Sequence, residues 1–98
     1  MTTLKEWIEK ESDGEAIESI VFGDDRNNWG GLPVGVLLSL ESAMPWLVRE
    51  FYSGFGIANC PAMVAWTKTW IISVSEYDGA TSHFRIPRKP TAYFPSMP

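Results

Sequence analysis

The chain predicts an α+β domain: an antiparallel sheet of about five strands with two helices packed on one face, a C-terminal three-stranded meander and a Pro-rich extended tail. Three observations predict it. Leu4, Trp7 and Ile8 recur at helical spacing near the start. Trp70, Ile72 and Val74 alternate with Ile71, Ser73 and Ser75 in the manner of a strand. Four prolines, Pro87, Pro90, Pro95 and Pro98, fall in the last twelve residues, where they disallow helix and favour extended chain. With 98 residues in all, residues 1–86 make one domain and residues 87–98 its tail.

The elements follow in order. Thr3 and Glu6 have capping-box spacing, so a helix is expected over 4–11, broken at Ser12-Asp13-Gly14. The run Ile17 to Phe22 fits either a helix or a strand; being short and β-branched, it is read as a strand. Residues 23–33 are nearly all turn formers and make a loop. Val34 to Leu40 reads as a buried strand. Ser42 is a suitable cap for a helix over 43–52, which would put Pro45 in its first turn, where a missing N–H costs nothing. Ser53-Gly54 ends it, and a second loop covers 53–62.

Met63 to Thr67 and Trp70 to Glu76 are the next strands. A turn at Tyr77-Asp78-Gly79 then leads into Ala80 to Ile86. Two registers compete for this hairpin. A two-residue Asp-Gly turn pairs Tyr77 with Ala80 and sets Val74 opposite His83 and Ile72 opposite Arg85. A three-residue loop with a bulge at Gly79 pairs Glu76 with Ala80 and sets Val74 opposite Ser82, Ile72 opposite Phe84 and Trp70 opposite Ile86. The second gathers the apolar residues on one face and is the register expected. It leaves His83 and Arg85 on an outer, solvated face.

Composition excludes several functions. The net charge is −4, but residues 1–50 hold ten acids and four bases, net −6, and residues 51–98 hold two acids and four bases, net +2. The acidic half repels nucleic-acid backbone, so no direct nucleic-acid binding is expected, and it attracts a basic partner. The bland alternative is a solvated face that serves solubility. One Cys and one His cannot build a zinc cage, and phosphate-binding glycine motifs are absent. No cofactor or metal is expected. The opening residues lack the basic and apolar regions of a secretory signal, no apolar run is long enough to span a bilayer, and Cys60 has no partner cysteine; the expectation is a cytoplasmic protein without membrane association.

Catalytic candidates are few. Cys60 and His83 would need to meet for nucleophilic chemistry, yet one falls in a loop and the other in a hairpin strand. Asp24 and Asp25 are adjacent acids in a turn-rich loop, and with Asn27 they lack the spacing of a calcium loop. Trp7, Trp46 and Trp70 have inward phases and belong to the core. Trp29, in a polar Gly-rich loop, is either a plug folded back on the core or a contact for a partner; Tyr77 at the hairpin tip is similar.

The function expected is therefore binding. The first reading is a non-enzymatic small acidic protein that antagonises or regulates a larger, basic protein by direct contact, in the manner of immunity proteins or phage counter-defence inhibitors. The alternatives are a binder of a small anionic, nucleotide-like ligand, and an enzyme of unidentified chemistry. The residues expected to carry binding are Asp24, Asp25, Arg26, Trp29, Tyr77, His83, Arg85, Arg88 and Lys89. Tyr93 and Phe94 are aromatic anchors in the tail, which would dock on its own domain, on a partner, or on a second copy to form a homo-oligomer.

Overall fold

The computed structural model describes residues 2–24, 29–51, 60–77 and 80–90, with backbone alone at 76, 77 and 80. Helix α1 spans Leu4–Ser12. The Thr3 side chain accepts a hydrogen bond from the Glu6 amide at 3.2 Å, as an N-cap should. The return arm of a capping box is replaced: Glu6 accepts from the Thr2 hydroxyl. The helix stops because Asp13 takes a left-handed conformation (φ 55°) and Gly14 follows at φ 80°. Leu4, Trp7, Ile8 and Ser12 are its buried residues, one stripe of a 3.6-residue period.

Strands β1 (Ser19–Phe22), β2 (Met63–Trp66), β3 (Trp70–Tyr77) and β4 (Ala80–Pro87) form one antiparallel sheet in the order β1-β2-β3-β4. Helix α2 (Leu40–Leu47) lies in the long connection between β1 and β2. The architecture is α+β, with both helices on one face of the sheet. That face carries the row Ile20, Ala65, Ile72 and Arg85, together with Phe22 and Met63. Leu4, Trp7, Ile8, Ala43 and Leu47 from the helices close the core over it. Full burial of side chains such as Ile20 and Ile72 contributes about 1.5–3 kcal/mol each. The opposite face carries Val21, Val64, Trp66, Ile71, Phe84 and Ile86, all half-buried.

The segment 34–40 is not the buried strand expected. It touches β1 twice, antiparallel at Ile20–Leu38 and parallel at Phe22–Val34. Opposite senses four residues apart mean that the chain bends between them, and Gly35 (φ 72°) sits at the bend. A continuous ladder is therefore impossible, Val34, Val36 and Leu37 stay exposed, and the sheet has four strands among the described residues instead of about five.

The second helix starts three residues earlier than expected and ends sooner. Ser39, not Ser42, is its cap: the Ser39 hydroxyl accepts from the Ser42 amide at 3.2 Å. This start brings Leu40, Ala43, Met44 and Leu47 onto the core side, a gain that outweighs placing Pro45 inside the helix. The helix stops at Leu47, and the chain turns so that Phe51 pairs with Thr2, with amide-to-carbonyl distances of 3.1 and 2.9 Å.

The hairpin takes the first of the two registers, not the one expected. Tyr77 pairs with Ala80, Val74 with His83 and Ile72 with Arg85. His83 and Arg85 consequently lie on the helix-covered face and not on a solvated outer one. The tail residues 91–98, with Tyr93 and Phe94, and the loop 52–59 lie outside the described residues, so the expected extended tail is not described. No helix among the described residues is long and apolar enough to cross a membrane.

Candidate functional site

The residues expected to bind are scattered. Asp25 and Arg26 lie outside the described residues, and Tyr77 is described only as the last backbone position of β3. Asp24 is half-buried. Trp29 is 6% exposed; its ring centroid is 5.9 Å from that of Phe51, and the Arg49 guanidinium lies 5.0 Å from it while donating to the Trp29 carbonyl at 3.1 Å. This is the plug arrangement. The two glycines that follow, at φ 76° and 68°, allow the backbone to turn there, a conformation that other residues adopt only with strain.

His83 and Arg85 belong to a polar layer beneath α1. The His83 ring is tilted against Trp7 at 5.0 Å, and its Nδ1 lies 3.2 Å from Glu11 Oε2. Nδ1 is buried without a hydrogen bond of good geometry, so the pair is close but misaligned. Arg85 lies over the Trp70 ring at 4.1 Å and donates to the Glu11 carbonyl at 3.1 Å, a carbonyl of the last helical turn that needs a donor. His83 thus faces a carboxylate and an indole, and Cys60 is buried in the hydrophobic core. The geometry that activates a nucleophile, a hydroxyl or thiol hydrogen-bonded to a base, is not what surrounds His83.

Arg88 is likewise engaged. It donates to Glu18 Oε1 at 2.7 Å and to the Thr67 carbonyl at 2.8 Å, and its amide donates to the Thr69 carbonyl. Lys89 is exposed. Of the four cationic residues expected to carry binding, Arg26, Arg85, Arg88 and Lys89, the two described arginines serve the fold.

Sequence reasoning missed two features. The first is Glu15. Its Oε1 accepts from the Thr67 hydroxyl at 2.6 Å and the Thr69 amide at 3.0 Å, and its Oε2 accepts from the Thr69 hydroxyl at 2.6 Å. The hydroxyls of Thr67 and then Thr69 hold its carboxyl below the ordinary range by stabilising the charged form. The contact spans more than fifty residues, so only its β2–β3 half, the Thr-Lys-Thr turn, was visible in the chain.

The second is a cavity of about 260 Å³ between α1 and α2. Buried Ile8 and Leu47 form its floor, half-buried Ile17, Leu40 and Met44 its walls, and Lys5, Glu9 and Ala16 are exposed lining residues. Lys5 and Glu9 pair with each other. Four apolar residues near α2 are exposed: Val34 (44%), Val36 (48%), Leu37 (66%) and Val48 (49%). Read as a strand, the first three were expected inside; only the bend at Gly35 puts them out.

Among the described residues no group of three or more His, Cys, Asp or Glu side chains comes together as a metal site. No family model, no curated protein and no solved structure matches this chain.

Proposed function

We propose that this chain is a non-enzymatic binding protein that antagonises or regulates a larger, basic protein by direct contact. The observation that carries the reading is the exposure of Val34, Val36, Leu37 and Val48 around α2, on the half of the chain whose net charge is −6. Large apolar side chains held out in water are what a partner's surface can cover, and the acidic half that carries them favours a basic one. The engagement of His83 with Trp7 and Glu11, and the burial of Cys60, favour binding over catalysis. The engagement of Arg85 and Arg88 with the chain's own carbonyls favours a protein partner over a small anionic ligand.

The test is affinity capture with the purified chain at low and high salt, followed by titration of the captured protein against Leu37→Asp and Glu41→Lys variants. A stoichiometric basic partner is expected, bound more weakly at high salt and more weakly by both variants. The reading fails if no protein is retained at either salt, or if what is retained ignores both substitutions.

A further inference from the structure

The cavity between α1 and α2 is built for an apolar occupant. Of its polar lining groups, Ser12 and Glu15 are committed within the chain, while Lys5 and Glu9 pair at its exposed rim. The Ser12 hydroxyl donates to the Glu9 carbonyl at 3.0 Å, Lys5 and Glu9 are paired, and both Glu15 oxygens accept from Thr67 and Thr69. The remaining lining residues are Ile8, Ala16, Ile17, Leu40, Met44 and Leu47. A polar group placed among these would lose its water and gain no partner. At about 260 Å³ the space is at the small end of ligand pockets, which typically run to about 300–1,000 Å³. It suits a single large side chain delivered from outside.

The surroundings say what carries that side chain. Residues 2–24, which supply α1 and the segment after it, hold seven acids and two bases. Glu6, Glu9, Asp13 and Glu18 are exposed, and Glu41 on α2 is exposed as well. At the cavity itself the carboxylates of Glu9 and Glu15 outnumber the one cation, Lys5, so a partner segment entering here meets a net negative lining.

We propose that the α1–α2 cavity is the anchor point of the interface, and that its occupant is one large aliphatic or aromatic side chain projecting from a Lys/Arg-rich segment of a partner protein. The inference rests on the binding function proposed above. The cavity supplies the desolvated centre, where a few residues dominate affinity. The acids steer the approach and set the salt dependence. Glu9 is the rim carboxylate placed to exchange its Lys5 partner for a cation on the incoming segment.

Two substitutions separate these roles. Ala16→Leu fills the cavity from its own wall at an exposed position of ordinary backbone conformation. Glu9→Lys leaves the cavity open and reverses the rim. The probe is a library of random peptides displayed on phage and selected on the full chain, with the enriched sequences then titrated as synthetic peptides by fluorescence anisotropy. Thermal melts confirm that each variant is folded. Enriched peptides are expected to place one large apolar residue among Lys or Arg. Ala16→Leu should weaken their binding about tenfold or more at any salt. Glu9→Lys should weaken it at low salt and do little at high salt.

The proposal is overturned by enrichment of acidic or uncharged peptides, by basic peptides with no apolar anchor, by no enrichment, or by affinities indifferent to Ala16→Leu in a folded protein. Failure here is distinguishable from failure of the binding reading. A captured, salt-sensitive partner that binds wild type and Ala16→Leu equally leaves that reading standing and removes the cavity from it.

Discussion

The guanidinium of Arg85 lies 4.1 Å from the centre of the Trp70 ring and on the same face of the sheet as Ile72. A cation is thereby seated under a helix without being stranded, because the ring receives its charge and the Glu11 carbonyl receives one of its N–H groups at 3.1 Å. The same two contacts hold the β3–β4 hairpin in its register against the C-terminal turn of α1.

Arg85→Ala removes both contacts and leaves a carbonyl at the end of α1 without its donor. Stability is expected to fall by about 1–3 kcal/mol, read from the urea midpoint. Arg85→Lys should recover less than half of the loss, because an ammonium group has no planar fork to stack and bond at once. An unchanged midpoint in Arg85→Ala would show that the layer beneath α1 does not matter to folding.

Glu15 makes stability depend on acidity. Its carboxyl is held below the ordinary value of 4.5 by the Thr67 and then the Thr69 hydroxyl. A group depressed in the folded state contributes stability that is complete above its unfolded value and is lost as pH falls through the lower folded one. Glu15→Gln should therefore destabilise the protein at neutral pH and make progressively less difference below about 4.5. Denaturation midpoints of the two proteins across that range should converge in acid; a constant gap between them would contradict the assignment.

The two serines before α2 can be told apart. Ser39→Ala removes the acceptor of the Ser42 amide and should cost about 0.5–2 kcal/mol. Ser42→Ala removes only a hydroxyl partner of Ser39 and should cost less. If the two losses came out in the opposite order in chemical denaturation, the helix would begin at the later cap.

Leu4 is fully buried at the start of α1, among core side chains from the sheet and from α2. Leu4→Ala is expected to cost about 2–5 kcal/mol. Val36→Ala, at an exposed position, should stay within about 0.5 kcal/mol. Parallel urea titrations check the contrast, and an equal effect at both sites would mean that Val36 is packed and not held out in water.

What the chain by itself determined is what neighbouring residues decide. Thr3 capping a Leu4-Trp7-Ile8 stripe, with Asp13-Gly14 to end it, specifies α1 within about one turn of chain. The alternation from Trp70 onward specifies a strand, and the contrast between the acidic and basic halves is legible from residue types alone. The acids of the proposed interface could be read in this way; the cavity could not, since Ile8 and Ile17 meet Leu40, Met44 and Leu47 only after α1 and α2 have packed.

Tertiary structure settled the choices that were locally degenerate. Ser39 and Ser42 are both acceptable caps, and the earlier one wins because it turns Leu40 inward. Val34 to Leu40 looks like a core strand, yet its two bridges to β1 run in opposite senses. Both hairpin registers are chemically sound. The matching of apolar neighbours favoured Val74 opposite Ser82, but α1 lays Trp7 against the His83 ring and the Glu11 carbonyl over β4, giving Arg85 a hydrogen-bond partner on the inner face. A polar side chain is costly inside only when it is unpaired, and the partners that decide this stand more than seventy residues away along the chain.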